Sequence, residues 1–200
     1  YRGGNGADRA FAVAFDGGGR IYLTGETTSN NFDVTAGALQ TNDGGAGMLQ
    51  ALGVGMLDAQ GAQLGPGGGA LAMLDRIDIA HLDPRIGGCV FDVACDVTNP
   101  LVGPQGASSV FGPQKGASAE VVRQLDDNLR HYARIIARDL GRDVADVPGT
   151  GAGGGIAAAM LAVLGGRLRP GSEIVTGAVG LDAAVRDADL VITGEGRIDS

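Results

Sequence analysis

A mixed α/β fold is what this sequence predicts, on three observations. Residues 89–96 (CVFDVACD) are apolar on both faces apart from Asp92, the pattern of a strand buried in a parallel or mixed sheet. Residues 118–139 place Val121, Val122, Leu125, Leu129, Tyr132, Ile135 and Ile136 at three- and four-residue spacing, the stripe of an amphipathic helix. Strand-like and helix-like segments then alternate to the end of the chain, as α/β proteins require.

Taken in order, residues 10–15 are apolar, 16–19 (DGGG) form a turn, and 20–24 form a second strand, so the chain opens on a β-hairpin. A helix begins over 47–52. Residues 57–69 are a Gly-rich turn region, 69–76 a short helix and 77–84 a connection. The buried strand spans 88–96. Ser118 is the expected N-cap of the long helix, with Glu120 in its first turn. An Ala-rich helix over 154–164 ends at Gly165-Gly166. Residues 173–176 are expected as a strand, 181–186 as a short helix and 190–193 as a strand.

At 200 residues the chain is long enough for one large domain or parts of two. Its net charge of −8 argues against a nucleic-acid or anionic-membrane partner bound by phosphate neutralisation. Mean hydropathy is +0.12 and no apolar run is long enough to cross a bilayer. The two cysteines, Cys89 and Cys95, lie on one predicted strand. Six residues at ~3.3 Å each hold them roughly 20 Å apart, far beyond disulfide reach. Reduced thiols and a cytoplasmic location are therefore expected. The chain begins with Tyr1 and ends at Ser200 inside a motif, so both ends are expected to be truncated.

Residues 96–118 (DVTNPLVGPQGASSVFGPQKGAS) are the most unusual segment, with three prolines, four glycines and the only lysine, Lys115. Such density fixes a loop path. Asp96 and Asn99 follow the buried strand at its carboxyl end, where open α/β sheets place ligands. Asp96 could accept a proton or hold a metal ion, or it could close an Asx-turn ahead of Asn99-Pro100. Lys115 suits a phosphate oxygen as a point charge; an exposed loop lysine is the plainer alternative. Asn42 and Asp43 sit in TNDGGAG at the start of a helix, where free N–H groups attract anions; equally, Asp43 could be a helix cap. GTGAGG (149–154), with Gly151 and Gly153, reads as a Gly-rich anion loop at a helix start, or as close packing through small residues. It is no dinucleotide fingerprint, because DVADVP before it is not a buried strand. Glu195, Arg197 and Asp199 follow the last predicted strand. Arg197 could grip a carboxylate or phosphate and the carboxylates invite Mg²⁺; a surface turn with a local ion pair is the alternative. His81 and His131 lack partners at metal-ligand spacing, and Ser108 and Ser109 lack a hydrolase context.

Four segments agree in order and spacing with one family. TNDGGAGMLQALG (41–53), the 96–118 loop, PGTGAGGGIAAAM (148–160) and ADLVITGEGRIDS (188–200) together resemble the bacterial glycerate kinases, over about 41–200. The resemblance implies a two-domain α/β kinase with its site in the cleft, this chain holding mostly the inserted domain. It implies ATP-dependent, Mg²⁺-assisted phosphorylation of a hydroxyl of D-glycerate. Asp96, Asp43 and Lys115 would then be catalytic. Asn42, Asn99, Gly151, Gly153, Glu195 and Arg197 would bind substrate or phosphate, and Asp199 would bind metal. The central expectation is that the 96–118 loop holds Asp96, Asn99 and Lys115 around one ligand. A non-catalytic, truncated or chimeric fragment of such a kinase is the alternative.

Five of the eight aromatic residues fall in the first 32 positions. Residues 1–40, with YRGGNGADRAFAVAFDGGGRIYLTGET and GALQT, resemble a single bacterial β-propeller repeat. The expected division is thus a hairpin segment over 1–40 and a partial kinase domain over 41–200, joined at Gln40-Thr41. One blade cannot bury its own faces.

Overall fold

The computed structural model describes residues 8–10, 14–15, 20–22, 25–27, 42–192 and 194. In chain order the strands and helices are β1 (Asp8–Ala10), β2 (Ala14–Phe15), β3 (Arg20–Tyr22), β4 (Gly25–Thr27), α1 (Ala46–Ala51), β5 (Gly55–Leu57), β6 (Arg76–Asp78), β7 (Val90–Ala94), α2 (Ala107–Phe111), α3 (Ala119–Leu140), α4 (Ala152–Ala162), β8 (Arg167–Arg169), α5 (Gly171–Val179) and α6 (Leu181–Val185). The fold is mixed α/β. A four-stranded sheet runs β2-β3-β7-β8, and β1-β4 and β5-β6 are separate pairs.

Of the expected opening hairpin, β2 and β3 pair antiparallel, with Ala14 opposite Tyr22, and the 16–19 turn lies outside the described residues. β3 then lies parallel to β7, Ile21 opposite Phe91, so β2 and β3 share a sheet with β7 and β8. β7 and β8 are also parallel, and parallel neighbours need a long crossover. Here α2, α3 and α4 fill it, and the candidate residues ride on that crossover.

Helix α3 is the keystone. The Ser118 hydroxyl accepts the Val121 N–H at 3.3 Å at one end, and left-handed Gly141 stops the helix at the other. Leu125, Leu129, Tyr132 and Ile136 form its inward stripe, each fully buried. Leu129, Tyr132 and Ile136 pack with Leu49, Met56, Leu71 and Leu101 into one core. Burying one such side chain contributes about 1.5–3 kcal/mol.

Asp92, the polar exception in the apolar strand, is explained by its neighbour. Arg167 and Arg169 share one face of β8 and clamp the Asp92 carboxylate at 2.9 and 3.2 Å. β7 is shorter than expected and leaves Cys89 and Cys95 just outside it; both thiols are free.

Four expected elements differ. The strand over 173–176 is part of helix α5. Ile174-Val175-Thr176 has strand-like chemistry, but the Asp96 carboxylate accepts the Gly171 N–H at 2.7 Å and starts a helix there. Residues 190–192 carry no regular structure, and Thr193 lies outside the described residues. The helix over 69–76 is a single 3₁₀ turn, Ala70–Met73. The connection over 77–84 begins inside β6, which pairs with β5. No described helix is long and apolar enough to cross a membrane.

Candidate functional site

Three loops converge on Asn42. The first is its own turn. Gly44 and Gly45 both have left-handed backbones, φ 64° and 82°, a path that glycine follows without strain. The turn brings the Asp43 carboxylate back onto α1, where its two oxygens accept the Gly45 and Gly47 N–H groups at 2.9 and 3.0 Å. Asp43 is therefore a helix cap, as one sequence reading allowed. Each oxygen takes a single N–H, which leaves acceptor capacity on both.

The second loop brings Lys115. Its ammonium donates to the Asn42 side-chain oxygen at 3.0 Å, across 73 positions of sequence. Asn42 is fully buried, and its amide donates to the Ala107 carbonyl at 3.4 Å and to the Ser108 hydroxyl at 3.5 Å on α2. Lys115 is half-buried. Burial pushes its pKa below the ordinary lysine value, and the Asp43 carboxylate nearby opposes that shift. One ammonium, one carboxylate and one buried amide thus form a compact polar cluster.

The third loop is 65–69, GPGGG. Gly68 lies flush against the Asn42 backbone: a Cβ there would come 2.1 Å from the Asn42 carbonyl oxygen. Asn128 on α3 fixes this loop by donating to the Gly68 carbonyl at 2.9 Å. Beneath the Asn42 turn lies Tyr132, whose ring edge would meet a Cβ on Gly44 at 2.5 Å. Among the described residues, its hydroxyl is the only buried side-chain nitrogen or oxygen without a hydrogen-bond partner. Such an orphan costs about 1–3 kcal/mol.

No hydrogen bond among the described residues joins Asp96, Asn99 and Lys115. Asp96 is exposed and caps α5. The Asn99 amide donates to the Gln105 carbonyl at 2.8 Å, inside its own loop. Lys115 alone reaches the cluster. The reason is local: the proline-rich loop satisfies its own polar groups, and a helix N-terminus with unpaired N–H groups takes the nearest carboxylate.

The two candidate glycines of GTGAGG part company. Gly151 is buried, and a Cβ on it would meet the Pro100 carbonyl oxygen at 2.3 Å. Its N–H and that of Gly149 both donate to the Asn99 carbonyl, at 3.0 and 3.1 Å. Gly151 is thus close packing. Gly153 is exposed and left-handed, φ 61°, the first of three successive left-handed glycines ahead of the regular part of α4. The loop reaches the cluster through the Gly44 N–H, which donates to the Gly154 carbonyl at 3.2 Å. Glu195, Arg197 and Asp199 lie outside the described residues.

Sequence reasoning missed Gly68, Ser108, Asn128 and Tyr132. Ser108 carried only a hydrolase question, and Tyr132 reads as a core residue. The GPGGG run was legible as a turn, though not as a wall of this cluster. His131 is structural, its Nε2 donating to the Leu74 carbonyl at 2.6 Å. Among the described residues, no group of three or more His, Cys, Asp or Glu side chains is placed to hold a metal ion.

Fold and cluster define an α/β protein in which Gly-rich loops gather around one lysine. A family model described as the glycerate kinase family matches residues 18–200. The chain belongs to the glycerate kinase family. It is 55% identical over 185 residues to glycerate 2-kinase of Escherichia coli K12, covering 92% of this chain and 49% of that protein. It is 52% identical over 164 residues to glycerate kinase of Bacillus subtilis 168, covering 82% of this chain and 43% of that one. A crystal structure from Salmonella typhimurium LT2, carrying the provisional name glycerate kinase 2, superposes with a TM-score of 0.75 at 59% identity. That match covers 79% of this chain and 42% of the other. The chain thus spans about half the length of the curated relatives it matches. The family match starts at residue 18 and runs across Gln40-Thr41, so the resemblance of residues 1–40 to a propeller repeat finds no support.

Proposed function

We propose that this chain is the glycerate-binding part of an ATP-dependent glycerate kinase acting in the cytoplasm. The observation that carries the reading is the Lys115–Asn42 contact, which gathers cation, buried amide and Asp43 from segments 73 residues apart. Phosphoryl transfer needs little covalent chemistry from the protein; positioning and charge stabilisation carry it. Lys115 supplies a cation whose stem is already desolvated, so its charge acts in a low-dielectric setting. Asn42 fixes that cation and is itself fixed by α2. Asp43 is the carboxylate positioned to take the proton of a substrate hydroxyl. Gly153, exposed at the start of α4, is the proposed phosphate contact. Asp96, as a helix cap, passes out of the catalytic set.

The residues fit Mg²⁺·ATP in one respect. Mg²⁺ keeps most of its ligands from water and phosphate and needs only one or two protein carboxylates; Asp43 retains acceptor capacity, and Asp199 is the second candidate. When bound, the ion supplies charge neutralisation on the phosphate oxygens. Glu195 and Arg197 complete the proposed substrate contacts.

A second reading is favoured by one observation: the chain spans about half of its relatives. It is a non-catalytic fragment of such a kinase that binds glycerate without phosphorylating it. A coupled assay of ADP release from Mg·ATP, with and without D-glycerate, separates the two. D-Glycerate-dependent release supports the kinase. Binding of D-glycerate by calorimetry without release supports the fragment, and neither response defeats both.

A further inference from the structure

Tyr132 holds a hydroxyl that the resting structure does not use. The side chain is fully buried, and its hydroxyl lacks any hydrogen-bond partner among the described residues. Native proteins leave few such groups, and each calls for an explanation. A phenylalanine would fill the same space under Gly44 and pack against Leu129 equally well. The ring edge lies directly beneath the turn, 2.5 Å from where a Gly44 Cβ would stand. A phenol hydroxyl can donate or accept, and the neighbouring Asp43 carboxylate can only accept, so a bond between the two would have Tyr132 as the donor. Asp43 meanwhile spends one lone pair of each oxygen on the N–H groups of α1. Donor and acceptor are thus neighbours that do not meet.

We propose that Tyr132 is a positioning residue for the Asn42–Asp43 turn, its hydroxyl donating to the Asp43 carboxylate when ligand draws that turn from its resting position. The proposal rests on the kinase reading of the same cluster and adds a residue to it. Tyr132 touches neither substrate nor phosphate; it acts through Asp43, and its hydroxyl is bonded only in the ligated state.

The test is Tyr132→Phe in the 200-residue chain, with circular dichroism to confirm folding. Two quantities are compared with the parent: the urea midpoint without ligand, and the calorimetric affinity for D-glycerate in the presence of Mg·ATP. The expected result is a midpoint at least as high as the parent's and an affinity weakened fivefold or more. A purely structural tyrosine would move the midpoint and leave the affinity alone. A lowered midpoint with unchanged affinity, or both unchanged, overturns the proposal while leaving the kinase reading intact. A parent chain that binds neither Mg·ATP nor D-glycerate overturns the kinase reading, and this proposal with it.

Discussion

Gly68→Ala and Gly65→Ala, three positions apart in one Gly-rich loop, should behave oppositely. A Cβ at Gly68 would lie 2.1 Å from the Asn42 carbonyl oxygen and 2.8 Å from both the Asn42 carbonyl carbon and the Leu125 Cδ2. The Leu125 methyl is the end of a flexible side chain and can yield. The Asn42 carbonyl cannot, because the Asn42 side chain is held by Lys115, Ala107 and Ser108. Overpacking of this kind costs about 1–3 kcal/mol. At Gly65 nothing lies within 4 Å of the added carbon, and its backbone is not left-handed. Alanine there should be neutral or stabilise by about 0.4–1 kcal/mol through the unfolded chain. The expected gap between the variants is therefore about 1–4 kcal/mol, at roughly 2–4 °C in melting temperature per kcal/mol for a chain of this size. Urea melts with matched m-values measure it. Gly68→Ala should also weaken D-glycerate binding, since Asn42 must shift. Stabilities within about 0.5 kcal/mol of each other, the usual scatter of featureless surface changes, would refute the packing of this loop on Asn42.

Three further outcomes follow from the same contacts. Asp96→Ala should cost about 0.5–2 kcal/mol, the price of a lost helix cap, and leave turnover unchanged; a large fall in kcat at unchanged stability would restore Asp96 to catalysis. Lys115→Met should lower D-glycerate-dependent kcat about 10²-fold or more, as for loss of a preorganised charge donor, read by ADP release. Asp139 gives a pH signature. The Arg138 guanidinium and then the Ile77 N–H, which donates at 2.8 Å, hold its carboxyl below the ordinary value against the opposing effect of burial. A depressed folded-state pKa means stability that is fully present above the unfolded value of about 3.9 and lost as pH falls through the folded one. Asp139→Asn should therefore lower stability at pH 7 and flatten the decline below about pH 4; parallel acid limbs for parent and variant would count against it.

Much of the fold was legible because its signals were local. Ser118 and Gly141 bracket α3 as cap and stop, and an apolar run marked β7. Strand-like chemistry at Ile174-Val175-Thr176 misled, because the cap that makes α5 a helix comes from Asp96, 75 positions earlier. The site was legible in part for the same reason. Asn42, Asp43 and Lys115 stand out as polar residues in Gly-rich loops, and the structure brings them together. Asp96 and Asn99 stand out equally, yet nearby backbone groups claim them. Gly68 and Tyr132 gave no polar signal, since what matters is how closely their backbone or ring approaches a distant turn.

The central claim is that Asn42 and Lys115 act as one unit in a phosphoryl-transfer site. A double-mutant cycle of Asn42→Ala and Lys115→Met, read as kcat/KM for D-glycerate-dependent ADP release, tests it most directly. The account predicts that the double variant is no worse than the poorer single one, a coupling of about 1 kcal/mol or more. Losses that add to within about 0.5 kcal/mol, or a parent chain releasing no ADP in response to D-glycerate, would contradict it.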